Sequence, residues 1–178
     1  MLVSVIIYAV VFFDQLTKWW ADRILQHNGE IELIKDALYF KYATNDGMAF
    51  GLLGSHRWIF LSLTLIVLLG IFAFYLLTLN KKKLPLLNVA LGLVAGGGIG
   101  NMIDRIFFAD TLFAGKVIDF IDFRLINFAI FNLADSAVCI GEALLILYIL
   151  FVDRIEKKYI DNSDVFTLNT LFDKDVKK

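Results

Sequence analysis

The sequence predicts an all-α polytopic membrane protein with four transmembrane helices, a small extracytoplasmic β-sheet and both termini in the cytoplasm. Three observations lead to this fold class. The 178-residue chain is 59% hydrophobic, whereas apolar residues make up roughly 45–50% of an ordinary soluble domain. Four apolar runs are each long enough for a membrane span, which needs about 20 residues. A strand-like stretch lies between the first and second runs.

Polar segments separate the four apolar runs. A lysine-rich turn follows the second run, and Pro85 after it suits the first turn of the next helix. The first run lacks a basic leader and a small-residue cleavage site, so we expect a retained span rather than a removed signal peptide. The expected spans are Leu2–Trp20, Trp58–Leu79, Leu86–Phe107 and Asn127–Val152.

Basic residues set the expected orientation. They cluster between the second and third runs and again after the fourth, and such clusters favour the cytoplasmic side. Residues 21–57 and 108–126 then lie on the extracytoplasmic side. The stretch at about 30–50 alternates polar and apolar residues, becomes aromatic and reaches the turn signal Asn45-Asp46-Gly47, which predicts a small sheet. We expect one membrane domain over 1–155 and a polar cytoplasmic tail over 156–178.

Composition argues against several other classes of function. The net charge of -1 provides no basic field for nucleic acid. The single cysteine, Cys139, excludes an intrachain disulfide, and its apolar run predicts a small packing residue rather than a nucleophile. With two isolated histidines and no cysteine cluster, we expect no metal site and no cofactor.

Polar residues inside the apolar runs gather toward one side of the membrane. An ionisable group in lipid costs about 2.5–3.5 kcal/mol on insertion scales, so it is normally buried, paired or functional. In the expected orientation, every such group lies in the outer part of the bilayer. These ionisable residues and the asparagines near them are Asp14 and Lys18 in the first run, Asn101, Asp104 and Arg105 at the end of the third, Asp119 in the following loop, and Asn132 and Asp135 in the first two to three turns of the fourth.

Asp119 and Asp135 flank one short loop and are candidates for a carboxylate pair. Two carboxylates a few ångströms apart hold one proton between them and titrate jointly. The ionised member then takes a proton from water, and the protonated member polarises a peptide carbonyl or protonates the leaving amine. Such assistance contributes about 10²–10⁴-fold per proton transfer. This chemistry hydrolyses an amide without a metal, a serine or a thiol.

Asparagines near this pair have complementary chemistry, because a side-chain amide both donates and accepts hydrogen bonds. We expect Asn132 to donate to the carboxylates. Asn45 and Asn101 suit the grip on an extended substrate backbone.

Several of these residues also have a plain structural interpretation. Asp14 and Lys18 are four residues apart and can simply pair at a helix end. Asp104 and Arg105 can form an interfacial charge cluster, and Asp122 is expected to be a solvated loop acid. Small residues are common where membrane helices pack closely, which is the expected role of Gly96, Gly97, Gly98 and Gly100.

Five blocks of sequence occur in order: DQLTK from Asp14, NDGMAF from Asn45, GNMIDR from Gly100, VIDF from Val117 and FNLADS from Phe131. Together these blocks resemble the lipoprotein signal peptidase family, also called signal peptidase II. The resemblance implies an intramembrane aspartic endopeptidase of the bacterial cytoplasmic (inner) membrane, with an outer β-cradle at about 30–50. It also implies cleavage of diacylglyceryl-modified prolipoproteins just before the lipidated cysteine, and inhibition by globomycin.

The same resemblance implies roles for individual residues. Asp119 and Asp135 correspond to the catalytic dyad. We expect a monomer whose partners are the lipidated substrate and membrane lipids, with no nucleic acid. Substrate-binding, inhibitor-binding or supporting roles fall on Asp14, Lys18, Asn45, Gly47, Asn101, Asp104, Arg105 and Asn132.

Two other classes of protein compete with this interpretation. A small membrane transporter or proton relay also uses buried carboxylates. It would carry polar groups at several depths, whereas the inner halves of the four runs are nearly free of ionisable residues. A purely structural four-span protein would have no need of two aspartates near one loop.

Overall fold

The computed structural model describes residues 1–45, 57–78, 85–108 and 115–152. The main helices among them are α1 (Leu2–Asn28), α2 (Arg57–Thr78), α3 (Pro85–Phe107) and α4 (Leu133–Leu147), and the strands are β1 (Ile31–Ile34), β2 (Leu38–Asn45) and β3 (Val117–Asp122). Among the described residues, three helices are long and apolar enough to cross a membrane: α1, α3, and α4 with its continuation to Phe151. α2 contains a shorter apolar stretch, Leu61–Leu77.

α1 extends beyond the predicted first span and joins the membrane helices to the sheet. A π-helical turn over Ala21–Leu25 and a last turn over Gln26–Asn28 carry the helix past Trp20. Ala21 and Leu25 pack in one buried cluster with side chains of β3. Gly29 then adopts a positive φ of 84°, which a side chain would oppose, and the chain turns into β1.

Glycines let α3 pack tightly between α1 and α4. A Cβ on Gly96 would lie 2.8 Å from Cβ of Val10 on α1, and one on Gly97 would collide with the main-chain oxygen of Ala134 on α4. The close-packing role predicted for the glycines is therefore confirmed at these two positions. At Gly98 the nearest added contact is an ordinary 3.4 Å, to Thr64 of α2.

The described residues form an antiparallel sheet in the order β1-β2-β3. The predicted sheet at 30–50 is confirmed for β1 and β2, but the assignment of Asp119 to a loop is wrong. Asp119 lies in β3, opposite Ala43 of β2. β3 shows no polar–apolar alternation because residues on both of its faces are buried, from Val117 through Phe120.

α4 begins at Leu133, later than the predicted start at Asn127. The preceding residues run alongside β3, where Phe131 and Ile121 exchange main-chain hydrogen bonds of 2.8 and 3.1 Å. Asn132 then caps the helix and forms a capping box with Asp135. Asn132 and Asp135 therefore lie at the N-cap and in the first turn of the helix, within the first two to three turns where the sequence placed them.

Some sequence predictions fall outside the described residues. These are the turn that contains Gly47, the lysine-rich turn before Pro85 and the tail over 156–178.

Candidate active site

Asn132 connects the two candidate catalytic aspartates. Its side-chain Nδ2 donates to Oδ1 of Asp119 at 2.6 Å, as the sequence predicted. Its Oδ1 accepts from the backbone N–H of Asp135 at 3.0 Å, and its own backbone N–H donates to Oδ2 of Asp135 at 3.2 Å. Asn132 is fully buried. One residue therefore holds both carboxylates, one from the sheet and one from the first turn of α4.

Two further asparagines complete the hydrogen bonds to the carboxylates. Asn101 of α3 donates from Nδ2 to Oδ1 of Asp135 at 2.7 Å, and its Oδ1 accepts from Asn132 at 3.0 Å. Asn45, at the end of β2, donates to Oδ2 of Asp119 at 3.0 Å. Within the described residues, each carboxylate thus receives two donors, and the grip of Asn45 and Asn101 on a substrate stays a prediction.

A buried charged cluster lies behind Asn101. We call Asp14, Lys18 and Asp104 the helix triad. Lys18 Nζ lies 2.8 Å from Asp14 Oδ2, 2.9 Å from Asp104 Oδ2 and 2.8 Å from Asn101 Oδ1. The three charged side chains are at most 3% exposed. The predicted pairing of Asp14 with Lys18 is therefore present, but in the interior, where it continues into the candidate site.

Backbone groups tie the helix triad to the rest of the site. The N–H of Ala134 donates to Oδ1 of Asp14 at 3.0 Å, and the N–H of Ile118 donates to Oδ2 of Asp104 at 3.3 Å. Gln15, which sequence reasoning missed, donates to both acids at 3.2 and 2.9 Å. The only indication of this role in the sequence is that Gln15 places a polar amide within an apolar run. The helix triad thereby fixes α1 and α3 against α4 and β3.

The alternative role of Asp104 as an interfacial charge is wrong, because this side chain turns inward to Lys18 and is 3% exposed. Its neighbour Arg105 donates from Nη1 to the main-chain oxygen of Asn101 at 3.1 Å. Arg105 thus borders the same turn of α3 that holds the amide of Asn101.

Asp122 is not the solvated loop acid that the sequence suggested. It is a buried residue of β3 and pairs with Arg124 at 3.0 Å. Arg124 also holds both carboxylate oxygens of Glu30, at 2.8 and 3.2 Å, and lies 3.8 Å above the ring of Tyr39. The hydrogen bonds from Arg124 lower the pKa of Glu30. We call Glu30, Asp122 and Arg124 the sheet cluster.

The protonation of Asp119 suits proton transfer. Burial raises the pKa of its carboxyl to about 6. The donors Asn45 and Asn132 oppose this rise, and the negative charge of Asp135 adds to it. A carboxyl that holds and releases its proton near neutral pH is suited to general acid–base chemistry.

Two remaining expectations concern metals and Cys139. Within the four described stretches, no three His, Cys, Asp or Glu side chains are arranged to hold a metal ion. Cys139 is exposed on the surface of α4, so the packing role predicted for it is wrong.

Buried aspartates beside helices of membrane-spanning length indicate a membrane-bound aspartic peptidase. The profile of the family described as "Signal peptidase (SPase) II" matches residues 6–151. The chain is 40% identical to the lipoprotein signal peptidase of Symbiobacterium thermophilum over 86% of this chain and 97% of that one. It is 42% identical to the lipoprotein signal peptidase of Shouchella clausii, over 84% and 93% of the two chains. The chain belongs to the signal peptidase II family.

A solved structure supports the same conclusion at the level of the fold. It is titled a bacterial membrane enzyme structure by the in meso method at 2.3 Å resolution. It matches with a TM-score of 0.72 and 31% sequence identity, over 83% of this chain and 87% of that one.

Proposed function

We propose that this enzyme removes the signal peptide from diacylglyceryl-modified prolipoproteins by cutting just before the lipidated cysteine. The substrate class follows from relatives named lipoprotein signal peptidase. The observation that supports this mechanism best is that Asn132 hydrogen-bonds to both Asp119 and Asp135, the two carboxylates that we assign as the catalytic dyad. Four spans over residues 1–155 would then have both termini in the bacterial cytoplasm and the dyad toward the extracytoplasmic side.

The reaction needs one proton on the dyad. The ionised carboxylate takes a proton from a water molecule, whose oxygen attacks the carbonyl carbon of the scissile peptide bond. The protonated carboxyl donates to the carbonyl oxygen as negative charge develops there. When the C–N bond breaks, the dyad protonates the departing amine, which is the new N-terminus of the lipidated cysteine, and a hydroxyl of the tetrahedral intermediate returns its proton to the dyad as the carboxylic acid product forms. The dyad ends the cycle with one proton, and no residue of the enzyme is modified.

The location of the dyad matches a lipidated substrate. Asp119 comes from the sheet and Asp135 from the first turn of α4, so the dyad lies where the sheet meets the membrane helices. A substrate that keeps its acyl chains in the bilayer presents its scissile bond at this boundary. It would arrive sideways through the membrane, without leaving the lipid.

A transporter or proton relay accounts less well for the polar groups. Among the described residues, the buried charged side chains of the helices form the helix triad, directly behind the dyad. A path for ions would need such groups to continue along the helices toward the opposite side.

The decisive experiment replaces each dyad carboxyl by its neutral amide. In purified Asp119→Asn and Asp135→Asn enzymes, we expect cleavage of a diacylglyceryl-modified precursor to fall by about 10²–10⁴-fold. Asp122→Asn, on the same strand but in the sheet cluster, is the matched control and should stay within about threefold of wild type. Thermal unfolding followed by tryptophan fluorescence shows whether each variant is folded. Adding globomycin to the wild-type assay tests for inhibition. Near-normal turnover by either dyad variant would reject the assignment.

The pH dependence of kcat/KM tests the need for one proton. Because burial raises the pKa of Asp119 to about 6, the free enzyme keeps this proton below that pH and loses it above. We therefore expect kcat/KM to fall about tenfold per pH unit once the pH exceeds about 6. The same raised pKa makes the contribution of this carboxyl to folding stability greatest in acid, and that contribution is lost as the pH rises through this value. A flat kcat/KM profile from about pH 5 to about pH 8 would contradict a one-proton dyad.

A further inference from the structure

Lys18 can only donate hydrogen bonds, and this one-sided chemistry acts on Asn101. An ammonium group carries three N–H donors and no acceptor. The described contacts of Lys18 Nζ are all with oxygen atoms: Asp14 Oδ2, Asp104 Oδ2 and Asn101 Oδ1, at 2.8, 2.9 and 2.8 Å. The oxygen of the Asn101 amide must therefore face Lys18. The two ends of an amide have nearly the same shape, so its hydrogen-bond partners decide which way it faces.

The orientation of Asn101 determines the orientation of Asn132. With its oxygen toward Lys18, Asn101 presents Nδ2 to Oδ1 of Asp135 at 2.7 Å. The same oxygen accepts from Nδ2 of Asn132 at 3.0 Å, which leaves Oδ1 of Asn132 for the backbone N–H of Asp135. Nδ2 of Asn132 then also reaches Oδ1 of Asp119 at 2.6 Å.

We infer that Lys18 is a positioning residue that aligns the amides of Asn101 and Asn132 so that each dyad carboxylate receives an N–H donor. This inference rests on the proposed catalytic role of Asp119 and Asp135. If the Asn101 amide turned over, its N–H groups would face the ammonium and its oxygen would face the carboxylate of Asp135. Both new contacts would be repulsive. Lys18 thus acts on the dyad through two neutral side chains.

A purely structural role for Lys18 makes a different prediction. A lysine that only joins α1 to α3 would change the amount of folded enzyme and leave the folded fraction with normal chemistry. An aligning lysine also changes how tightly the dyad holds its proton. Among the described residues, the charged groups that act on the dyad are Lys18 from α1 and Arg105 from α3, while Asp14 and Asp104 face Lys18 itself.

The test measures kcat, KM and the pH profile of Lys18→Met with a lipidated precursor. Loss of the aligning donor should lower kcat by about 10²-fold, the effect expected of a misplaced reacting group. KM should change by less than about threefold, because no substrate contact is removed. The alkaline limb of kcat/KM should move up by about one pH unit, because the carboxylates lose donors and a nearby positive charge. Lys18→Arg, which keeps a donor-only cation, should return the limb toward its wild-type position.

Gln15→Met is the matched control, since it removes contacts to Asp14 and Asp104 while Lys18 and Asn101 remain. It should lower the Tm and leave the alkaline limb in place. A limb that moves equally in Gln15→Met and Lys18→Met would overturn the inference.

A charge-balanced variant keeps the test decisive if Lys18→Met does not fold. Asp14→Asn combined with Lys18→Gln retains the formal charge of the helix triad, and the amide that replaces the ammonium can either donate to Asn101 or accept from it. We expect the same loss of kcat and the same movement of the limb. If this variant has the kcat of the wild type and the same alkaline limb of kcat/KM, the proposed role of Lys18 is overturned.

The dyad variants separate the two proposals. If Asp119→Asn and Asp135→Asn are inactive while Lys18→Met and the double variant behave as wild type, only the role of Lys18 fails. If the dyad variants retain turnover, both proposals fail.

Discussion

The helix triad and the sheet cluster contain the same ingredients in opposite surroundings. Each holds one cation between two carboxylates. In the helix triad the side chains of Lys18, Asp14 and Asp104 are 2%, 0% and 3% exposed. In the sheet cluster Arg124 and Glu30 are 40% and 43% exposed. Distances alone do not distinguish them, since the shortest ion pair is 2.8 Å in both.

Burial determines what each cluster contributes. Charges removed from water depend on their partners, and the loss of one partner leaves an uncompensated charge in a medium of low dielectric. Charges at the surface are screened by water and salt, and such pairs contribute little to stability. We therefore expect the helix triad to affect both the fold and the proposed chemistry, and the sheet cluster to affect mainly the position of one strand.

The choice of cation follows the shape of each location. Lys18 is a compact charge, and its N–H groups diverge toward acceptors on α1 and α3. Arg124 is planar, so it matches both oxygens of Glu30 and stacks on the ring of Tyr39. A lysine at position 124 would lose the two-point match to the carboxylate of Glu30.

The largest effect should come from removing the buried cation. Lys18→Met leaves Asp14 and Asp104 facing each other without a positive charge, and the loss of one partner from a buried ion pair costs about 3–5 kcal/mol. SDS-induced unfolding in mixed micelles, followed by tryptophan fluorescence, measures this loss. A change below about 1 kcal/mol would mean that the helix triad behaves like a surface pair.

An intermediate effect should come from a methyl group next to the helix triad. A Cβ on Gly100 would lie 2.6 Å from Oδ2 of Asp14, so Gly100→Ala should push this carboxylate away from Lys18. Overpacking of this kind costs about 1–3 kcal/mol. Gly98→Ala on the same helix is the matched control, because its nearest added contact is an ordinary 3.4 Å. Equal destabilisation by both would contradict a specific clash with the carboxylate, because the higher helix propensity of alanine favours both variants alike.

The smallest effect should come from the exposed cation. Arg124→Gln breaks both ion pairs of the sheet cluster. The pair with Glu30 is exposed on both sides and contributes only about 0–1 kcal/mol, and in the pair with the buried Asp122 the cation itself is 40% exposed and screened by water. This difference should shrink further in about 1 M salt, where screening is nearly complete. Unfolding of both enzymes at low and high salt measures it. A loss comparable to that of Lys18→Met would erase the contrast between the two clusters.

The sequence predicted the parts of the fold that depend on local pattern. Apolar length indicated the membrane helices, and β1 and β2 followed from alternation and aromatic content. β3 could not be recognised in this way, because a strand buried on both faces has no alternation. The start of α4 was misjudged because the apolar residues before Asn132 belong to an extended segment beside β3. Apolarity alone does not distinguish such a segment from a helix.

The candidate site was predictable as a set of residues but not as a network. The positions of the polar residues in the apolar runs predicted that these residues lie together toward one side of the membrane. The contacts of Gln15 with Asp104 and of Asp14 with Ala134 join residues far apart in the chain, so no local spacing indicates them. The exposure of Cys139 was equally hidden, because lipid and protein interior favour the same apolar side chains in a membrane helix.

The exposed position of Cys139 has a practical consequence. It is the only thiol in the chain and lies one helical turn after Asp135, on the outward surface of α4. A membrane-permeant maleimide dye would therefore attach at a single known site, with no background cysteines to remove. Energy transfer from this dye to a labelled acyl chain would follow the arrival of a lipidated peptide and its departure in real time.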